Sequence, residues 1–383
     1  MAGYAALRIA ASGSVLVLMT GILVMSTASG ASAGTCTSWD YTTSPNVGDQ
    51  SNFLFGVDAT STCDAWAVGN YDNDEAVSRT LIEHWNGSSW SVTSSPNVGS
   101  GDNYLVSVRA ISPANAWAVG SNISETGEQT LIEHWNGVAW SVSTSPDVGV
   151  GSFLSAVRGN ATNLWAVGGY EKDATQRPLI EHWNGSAWSV KSSPDVGTWD
   201  VFRAVALSSP TSVWAVGNDF SGGLEHALIE HWNGSAWSVT PSASPGPGSE
   251  IALDAVRVAS STSAWAVGEY AYEGFDHTLI EHWNGSSWSV KSGPIMESNA
   301  TLTGVAVASP TSVWAVGGYD NGATEQTLIE DWNGSSWAVK PSPNVGTLGN
   351  VLNGTASTSP DNVWAVGYFI DGTAARTLIE HCC

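Results

Sequence analysis

The chain has 383 residues, and its 35 acidic and 12 basic side chains give a net charge of −23. This balance excludes binding to nucleic acid or to an anionic lipid surface, because both need clusters of Lys and Arg. Only 12% of the residues are charged, whereas 42% are hydrophobic and 21 are Trp, so the composition also excludes a disordered chain.

The first predicted element is a secretory signal peptide over residues 1–33. Its only charged side chain is Arg8, a largely apolar run extends from Val15 to Met25, and the segment ends in Ala31-Ser32-Ala33. This order of charged, apolar and small residues precedes a signal cleavage site. The alternative is an uncleaved membrane anchor, but the stretch from Ile9 to Met25 is only 17 residues and a span needs about 20. We therefore expect a secreted protein with no membrane insertion after cleavage.

Residues 34–383 repeat one unit seven times. The string Trp-Ala-Val-Gly recurs at steps of 51, 48, 49, 51, 49 and 50 residues, starting at Trp66, Trp117, Trp165, Trp214, Trp265, Trp314 and Trp364. A second string, Leu-Ile-Glu, accompanies it and starts at Leu81, Leu131, Leu179, Leu228, Leu279, Leu328 and Leu378. A repeat of about 40–50 residues is typical of propellers and related arrays.

The pattern within one unit predicts four strands. In the second copy they are Tyr104–Ala110, Ala116–Val119, Thr130–Trp135 and Ala139–Val142. Gly120 is predicted to stop the second strand, and Asn136-Gly137 to form a tight hairpin, since both residues tolerate a positive φ. No segment has a helical period. The prediction is therefore all-β, a seven-bladed β-propeller with four antiparallel strands in each blade.

The two ends of the repeat array predict how the ring closes. The last copy stops at Cys383, before its fourth strand, whereas the segment Trp39–Gly48 matches Trp90–Gly99 of the first complete copy. We expect the N-terminal strand to complete the last blade. This arrangement removes two open sheet edges, which otherwise invite aggregation.

The repeat layout resembles a kelch repeat, in which a hydrophobic strand ends in Gly and an aromatic-Asp/Asn turn leads to a Trp. The resemblance covers residues 36–383 and implies a kelch-like or galactose-oxidase-like propeller. The chain is also similar to secreted actinobacterial repeat proteins with WAVG and LIEHWNG motifs. It departs from kelch because the Gly-Gly pair occurs only at Gly168-Gly169 and Gly317-Gly318. No Tyr/His/Cys set matches the copper site of galactose oxidase, so no cofactor is implied.

Two titratable residues recur at fixed positions of the unit. His84 and its equivalents lie on different blades, too far apart to share a zinc ion, so we expect a structural role. Glu83 and its equivalents alternate with core residues and are expected to be buried. A buried carboxylate must be hydrogen-bonded, and we expect backbone or indole N–H groups to be the donors. Neither row predicts a metal site or a catalytic site.

Four cysteines lie in the predicted exported domain, where disulfides persist. The repeat register places Cys36 and Cys383 in the interrupted hairpin of the last blade, and Cys63 in a turn of the neighbouring blade. We expect Cys36 and Cys63 each to bond to one of Cys382 and Cys383, and the register leaves open which one.

The predicted binding site lies on the face formed by the second-to-third and fourth-to-first loops, whose sequences vary between copies. Aromatic and acidic side chains suit sugar or peptide recognition. The candidates are Tyr71, Asp72, Tyr170, Glu171, Trp199, Asp200, Tyr270, Tyr272, Tyr319, Asp320 and Tyr368. The acidic balance favours a neutral or cationic ligand. Calcium is a further alternative, although the spacing of an EF-hand is missing.

Three functions remain open at this point. The first is a secreted binding module for a glycan or an extracellular polypeptide. The second is a carbohydrate-active enzyme, a glycosidase or lyase, that uses carboxylates such as Asp72, Glu171 or Asp320. The third is a structural envelope or matrix protein. No nucleophile elbow, P-loop, dinucleotide fingerprint or zinc-protease motif occurs, so we favour a monomeric binding module without enzymatic activity.

Overall fold

The computed structural model of the protein describes residues 36–146, 148–149, 151–246 and 250–383. These ranges contain 28 strands in seven antiparallel sheets of four. They contain no helix long and apolar enough to cross a bilayer. The predicted signal peptide, residues 1–33, lies outside the described residues.

The strands follow one another in the order of the repeats. The first, β1 (Asp40–Tyr41), belongs to blade 7. Blade 1 contains β2 (Asn52–Ser61), β3 (Asp64–Asp72), β4 (Ser78–Trp85) and β5 (Trp90–Val92). Blade 2 contains β6 (Asn103–Ser112), β7 (Asn115–Ser124), β8 (Gly127–Trp135) and β9 (Trp140–Val142). Blade 3 contains β10 (Phe153–Asn160), β11 (Asn163–Lys172), β12 (Thr175–Trp183) and β13 (Trp188–Val190). Blade 4 contains β14 (Asp200–Ser209), β15 (Ser212–Ser221), β16 (Leu224–Trp232) and β17 (Trp237–Val239).

The remaining blades have the same layout. Blade 5 contains β18 (Ile251–Ser260), β19 (Ser263–Tyr272), β20 (Phe275–Trp283) and β21 (Trp288–Val290). Blade 6 contains β22 (Ala300–Ser309), β23 (Ser312–Asp320), β24 (Glu325–Trp332) and β25 (Trp337–Val339). Blade 7 contains β26 (Asn350–Ser359), β27 (Asn362–Asp371) and β28 (Ala374–Cys382). The first strand of every blade lines the central channel.

The ring closes as the sequence predicts. Strand β1 is the fourth strand of blade 7, and it pairs with β28 through Asp40 opposite His381 and Tyr41 opposite Glu380. On the channel side, β2 of blade 1 contacts β6 of blade 2 and β26 of blade 7. The seven-bladed fold with a blade shared between the two ends of the chain is therefore confirmed.

The second strands are longer than predicted, because the glycine of Trp-Ala-Val-Gly does not stop them. Strand β7 continues through Gly120 to Ser124. A Cβ atom at Gly120 would lie 2.0 Å from the carbonyl oxygen of Tyr104 in the neighbouring strand. Only glycine allows so close an approach of two backbones. The glycine therefore marks a tight contact between strands and not the end of one.

The close approach coincides with a β-bulge in every first strand. In blade 1 the pairing of β2 with β3 shifts between Leu54 and Gly56, so that Phe55 has no partner. The shift recurs at the same position in all blades, and the bulged residues are Phe55, Val106, Ser155, Arg203, Asp254, Thr303 and Asn353. A bulge turns its side chain away from the regular alternation of the strand.

The Asn-Gly turns are tight, but only the glycine has a positive φ. Gly87 has φ +93°, and Asn86 is not among the residues with positive φ. Instead, Oδ1 of Asn86 accepts the backbone N–H groups of Ser88 and Ser89, at 3.0 and 3.1 Å. The asparagine therefore holds the hairpin through its side chain, as Asn commonly does in turns.

One buried indole joins each blade to the next. Trp66 of blade 1 is 1% exposed and contacts Trp135 and Trp140 of blade 2, at ring distances of 5.0 and 5.2 Å. It also lies 4.2 Å from the ring of His84 in its own blade. Aromatic pairs of this kind contribute about 0.5–1.5 kcal/mol each beyond the burial of their area. The pattern recurs at every blade interface except that between blades 6 and 7.

At that interface a disulfide replaces the outer indole. Cys382 occupies the register position that Trp85 has in blade 1, and it is bonded to Cys36, with the two Cα atoms 5.5 Å apart. Both cysteines pack against Trp314 of blade 6 together with Trp39. The bond thus fixes the N-terminal strand to the last blade.

The second predicted disulfide is absent, since Cys63 and Cys383 are free and exposed. The prediction was wrong because it placed the turn at Cys63 beside the hairpin of the neighbouring blade. In the structure, Cys63 lies against Gly87, in the hairpin of its own blade. The equivalent turn of blade 7 does the same, since the N–H of Cys36 donates to the carbonyl of Pro360.

Removal of the ring-closing disulfide should destabilise the protein strongly. The bond spans 346 residues of sequence. The loop-entropy model gives about 6 kcal/mol for a loop of this size. We expect the double variant Cys36→Ser/Cys382→Ser to lose most of that free energy of unfolding in urea titrations. The matched double variant Cys63→Ser/Cys383→Ser should change it by less than about 0.5 kcal/mol. Equal losses in the two variants, or a mapped bond to Cys63, would contradict the assignment.

Candidate functional site

The structure places ten of the eleven predicted binding residues in strands. They occupy the ends of the second strands or, for Asp200, the start of β14: Tyr71 and Asp72 in β3, Tyr170 and Glu171 in β11, Tyr270 and Tyr272 in β19, Tyr319 and Asp320 in β23, and Tyr368 in β27. Trp199 lies just outside β14 and forms an isolated bridge to Gln176. The variable sequence after each glycine is therefore strand and not loop.

Several of these residues have structural contacts. Four tyrosines lie two residues after the glycine of Trp-Ala-Val-Gly and pack against the cores between blades: Tyr71, Tyr170, Tyr270 and Tyr319. Asp200 is fully buried and accepts the backbone N–H groups of Val196 and Gly197. Asp72 accepts the hydroxyl of Ser78 at 2.8 Å.

The exposed members lie apart from one another on blades 3, 4, 5 and 6, and Glu171 is the one on blade 3. Trp199 is 55% exposed and lines a shallow groove of about 540 Å³ with Arg203 and Glu225. Tyr272 is 54% exposed and lies 6.3 Å from the ring of His277. The groove at Tyr319 and Asp320 has a volume of about 410 Å³. The structure does not bring the eleven residues into one site.

A cavity lies on the channel axis and is formed by the bulges. Its volume is about 580 Å³, and all seven bulged residues line it. Phe55 and the neighbouring aromatic rings of Tyr104 and Phe153 make part of the wall apolar. Ligand pockets usually combine such a wall with a few polar groups. None of the eleven predicted residues lines this cavity.

The polar groups of the cavity centre on an ion pair between two adjacent bulges. Nη1 of Arg203 lies 2.7 Å from Oδ1 of Asp254, and Nη2 lies 3.9 Å from Oε1 of Glu225. Burial raises the pKa of Asp254, and Arg203 opposes this shift. Nearby, the pKa of Glu269 is raised to about 7 by burial and then by Asp254 and Asp276. Arg203 is therefore surrounded by carboxylates that compete for it.

Sequence reasoning missed this cavity because it treated the glycine as a strand end. An isolated glycine inside a strand pattern indicates a bulge or a close backbone approach. The bulged residue of each first strand also carries a signal. In every copy the residue before it is Leu or Phe, whereas the bulged residue changes class from copy to copy. A position that varies between constant neighbours was thus visible in the sequence.

The repeated histidines have the structural role that the sequence predicts. Nε2 of His84 pairs with Asp64 at 2.8 Å, and the equivalent histidines contact an Asn or Ser at the same position. Stacking on Trp364 at 3.6 Å buries His381, and burial lowers its pKa to about 4. Within the described residues there is no group of three or more His, Cys, Asp and Glu that could hold a metal ion.

The repeated glutamates are fully buried, as expected. The predicted backbone donor occurs at Glu281, which accepts the N–H of Ala243 at 3.1 Å, whereas the other donors found are serine hydroxyls. The hydroxyl of Ser145, in the preceding blade, donates to Glu181 at 2.8 Å. The hydroxyl groups of Ser193 and Ser242 donate in the same way to Glu230 and Glu281, respectively. No indole donates to them in the described part of the chain. Burial raises the pKa of these three glutamates to about 7.

Three other glutamates of the row have no hydrogen-bond partner among the described residues: Glu133, Glu330 and Glu380. Burial raises the pKa of each to about 8. For Glu330, the position of the donating serine is occupied by Gly293, whose notional Cβ would lie 3.4 Å from Oε2. The row therefore consists of carboxyl groups that hold protons near neutral pH for structural reasons.

Comparison with known proteins supports the fold and no closer relationship. The chain matches no protein-family profile and no curated protein. YCF48 bound to a D1 peptide has a TM-score of 0.57 and 13% identity, over 90% of this chain and 97% of that one. YCF48 from Cyanidioschyzon merolae has a TM-score of 0.53 and 13% identity, over 90% and 99% of the two chains.

A polysaccharide lyase is similar to the same degree. The PL25 ulvan lyase bound to -[GlcA(1-4)Rha3S]- has a TM-score of 0.55 and 9% identity, over 83% of this chain and 92% of that one. These neighbours are neither kelch nor WAVG repeat proteins. At such low identity they show a shared propeller fold alone, and the kelch resemblance remains one of repeat layout.

The buried glutamates predict that stability falls as the pH rises. Their pKa is higher in the folded protein than in the unfolded chain, so folding retains protons that the unfolded chain releases. The stabilisation is complete below pH 4.5 and is lost as the pH rises through about 8. We expect Glu133→Gln to raise the free energy of unfolding at pH 8 by about 1 kcal/mol or more, and to have little effect at pH 4.5.

The control for this prediction is Glu230→Gln, because Glu230 already has a serine donor and its pKa is raised only to about 7. Its gain at pH 8 should be smaller than that of Glu133→Gln. Urea titrations at the two pH values measure both effects. Stability that rises with pH over this range would contradict the assignment.

A serine at position 293, which follows the last strand of blade 5 and faces Glu330 of blade 6, should stabilise the protein. In Gly293→Ser the hydroxyl would reach Glu330, as Ser145 reaches Glu181. A hydrogen bond to a buried acceptor contributes about 1 kcal/mol. Gly293→Ala is the matched control, because it supplies only the loss of unfolded-state entropy, about 0.4–1 kcal/mol. Thermal unfolding should rank Ser above Ala, and equal melting temperatures would refute the missing-donor account.

Proposed function

We propose that the protein is a secreted binding module whose ligand, an extracellular polypeptide or a glycan, occupies the axial cavity. The observation that carries the proposal is the set of seven bulges. Each of them directs one side chain into the same cavity, and those side chains differ while the rest of the repeat is nearly constant. Bulges often redirect side chains beside functional sites.

The chemistry of the cavity supports a ligand with both apolar and polar groups. Phe55 and Phe153 supply rigid apolar area, which costs little conformational entropy on binding. The pair of Arg203 and Asp254 supplies a donor and an acceptor side by side. A volume of about 580 Å³ falls in the usual range for small-molecule and side-chain pockets. The peptide and glycan complexes of YCF48 and the ulvan lyase are consistent with this proposal.

The arrangement of the carboxylates favours binding over hydrolysis. A glycosidase needs two carboxyl groups about 5–10 Å apart on either side of one bond. The carboxylates proposed from the sequence, Asp72, Glu171 and Asp320, lie on blades 1, 3 and 6, none of which are neighbours. Export rests on the predicted signal peptide, and a mature N-terminus at residue 34 would support it.

Binding should depend on the bulged residues. The test uses residues 34–383, an oligosaccharide array with neutral and uronic-acid members, and a displayed library of random peptides. For the best binder, we expect Phe55→Ala and Arg203→Gln each to weaken the affinity at least about tenfold, as hot-spot residues do. Val138→Ala, an exposed residue of a hairpin turn, is the control and should leave the affinity unchanged.

Two outcomes would overturn the proposal. One is the absence of saturable binding to any member of both libraries. The other is loss of binding in Trp199→Ala with full affinity in Phe55→Ala, because Phe55 lines only the axial cavity and that result would place the ligand in the groove on blade 4. Isothermal titration calorimetry on each variant distinguishes these cases.

A further inference from the structure

A second ring of side chains lies deeper in the channel, towards the turns that join the first and second strands. It consists of the residues that pair with the tryptophan of Trp-Ala-Val-Gly: Asp58, Arg109, Arg158, Ala206, Arg257, Ala306 and Ala356. All seven line one cavity of about 400 Å³. The ring therefore combines three guanidinium groups and one carboxylate with three small side chains that leave space.

The single carboxylate of the ring, that of Asp58, already has three partners. Oδ2 of Asp58 lies 3.0 Å from Nη1 of Arg109 and 3.3 Å from Nη1 of Arg158, and it accepts the backbone N–H of Ala110 at 2.9 Å. The two arginines also donate to backbone carbonyl groups, those of Gly159 and Val108. One negative charge is thus shared between two of the three arginines.

Arg257 has no such partner. Its Nη1 donates to the carbonyl of Val256 at 2.9 Å, and it forms no ion pair with any described carboxylate. Burial lowers its pKa well below the usual range, Arg158 and Arg109 lower it further, and Asp58 opposes these shifts. A partly buried cation without an ion pair of its own is costly. The position is therefore one where an added anion would be strongly stabilised.

We propose that this ring binds an oxyanion, a carboxylate or a sulfate group, in the space between the three guanidinium groups and the three alanines. Guanidinium groups pair with both kinds of oxyanion through two parallel hydrogen bonds. Three arginines against one aspartate leave two positive charges in the ring, in a chain whose net charge is −23. The cation preference expected from the overall composition does not hold here.

The position of the ring lets the oxyanion be part of a larger molecule. Arg158 and Arg257 line both this cavity and the larger cavity formed by the bulges. They therefore stand at the boundary between the two spaces. None of the bulged residues belongs to this ring, so a small free anion can test it without the ligand proposed above.

The test measures thermal unfolding and calorimetric binding of the purified protein with sodium sulfate and with sodium acetate. Sodium chloride at the same ionic strength is the reference. We expect a saturable rise in melting temperature with sulfate, acetate or both, and affinity at least about tenfold weaker in Arg257→Gln, since a hydrogen bond to a charged group is lost. Arg376→Gln is the control, because Arg376 contacts only loop carbonyls and should keep full binding.

A second variant covers the case in which Arg257→Gln fails to fold. Asp58→Asn removes the competing carboxylate, so it should melt lower in chloride and gain more from the anion than the wild type does. A response to one anion only supports the site and identifies its group. Equal responses of wild type and Arg257→Gln would overturn the proposal, because general salt stabilisation acts on both. If neither anion raises the melting temperature of Asp58→Asn, the proposal is overturned as well.

Discussion

The contact between the glycine of each second strand and the backbone of the first strand is the constraint on which the rest of the structure depends. At Gly69 a Cβ would lie 1.8 Å from the carbonyl oxygen of Phe53, so no other residue fits. The bulge lies at Phe55, two residues beyond Phe53 in the first strand. Because it recurs seven times, seven side chains leave the regular alternation at one height along the channel. The cavity on the axis is a direct result.

Within each repeat, the residues that hold the blades together occupy different positions from the residues that vary between copies. The indoles, the glycine and the buried glutamate hold neighbouring blades together and are nearly the same in every copy. The bulged residues of the first strands line the cavity, and their contacts with neighbouring blades differ between copies, as in the pair of Arg203 and Asp254. Selection on the repeat can therefore change these residues without altering the repeated indole contacts. In this chain the consequence is a channel that carries four of the eleven described basic residues, Arg109, Arg158, Arg203 and Arg257.

The fold was predictable from the sequence because it follows from the number of repeats and the number of strands in each repeat. Seven copies, four strands in each, and the match of Trp39 to Trp90 suffice to predict a closed ring. The axial cavity, which is the candidate site, was not predictable, because it depends on where strands bulge and which residues become neighbours across the axis. The tyrosines after the glycine looked like loop residues, yet Tyr71 and Tyr270 are paired in strands and pack on the core. The pairing of Cys63 failed for a related reason, since register along the chain does not reveal which hairpin a turn faces.

The shared blade also sets the order in which the molecule can be completed during synthesis. The strand at Asp40 must find its partner at His381, and Cys36 must find Cys382, which the ribosome adds 346 residues later. At roughly 5–20 residues per second, the early segment waits on the order of 20–70 s for that partner. Until then a nascent chain with six finished blades presents unpaired edges at both ends. An unpaired edge can pair with a strand of another chain. The last step of folding is therefore also the one most prone to aggregation.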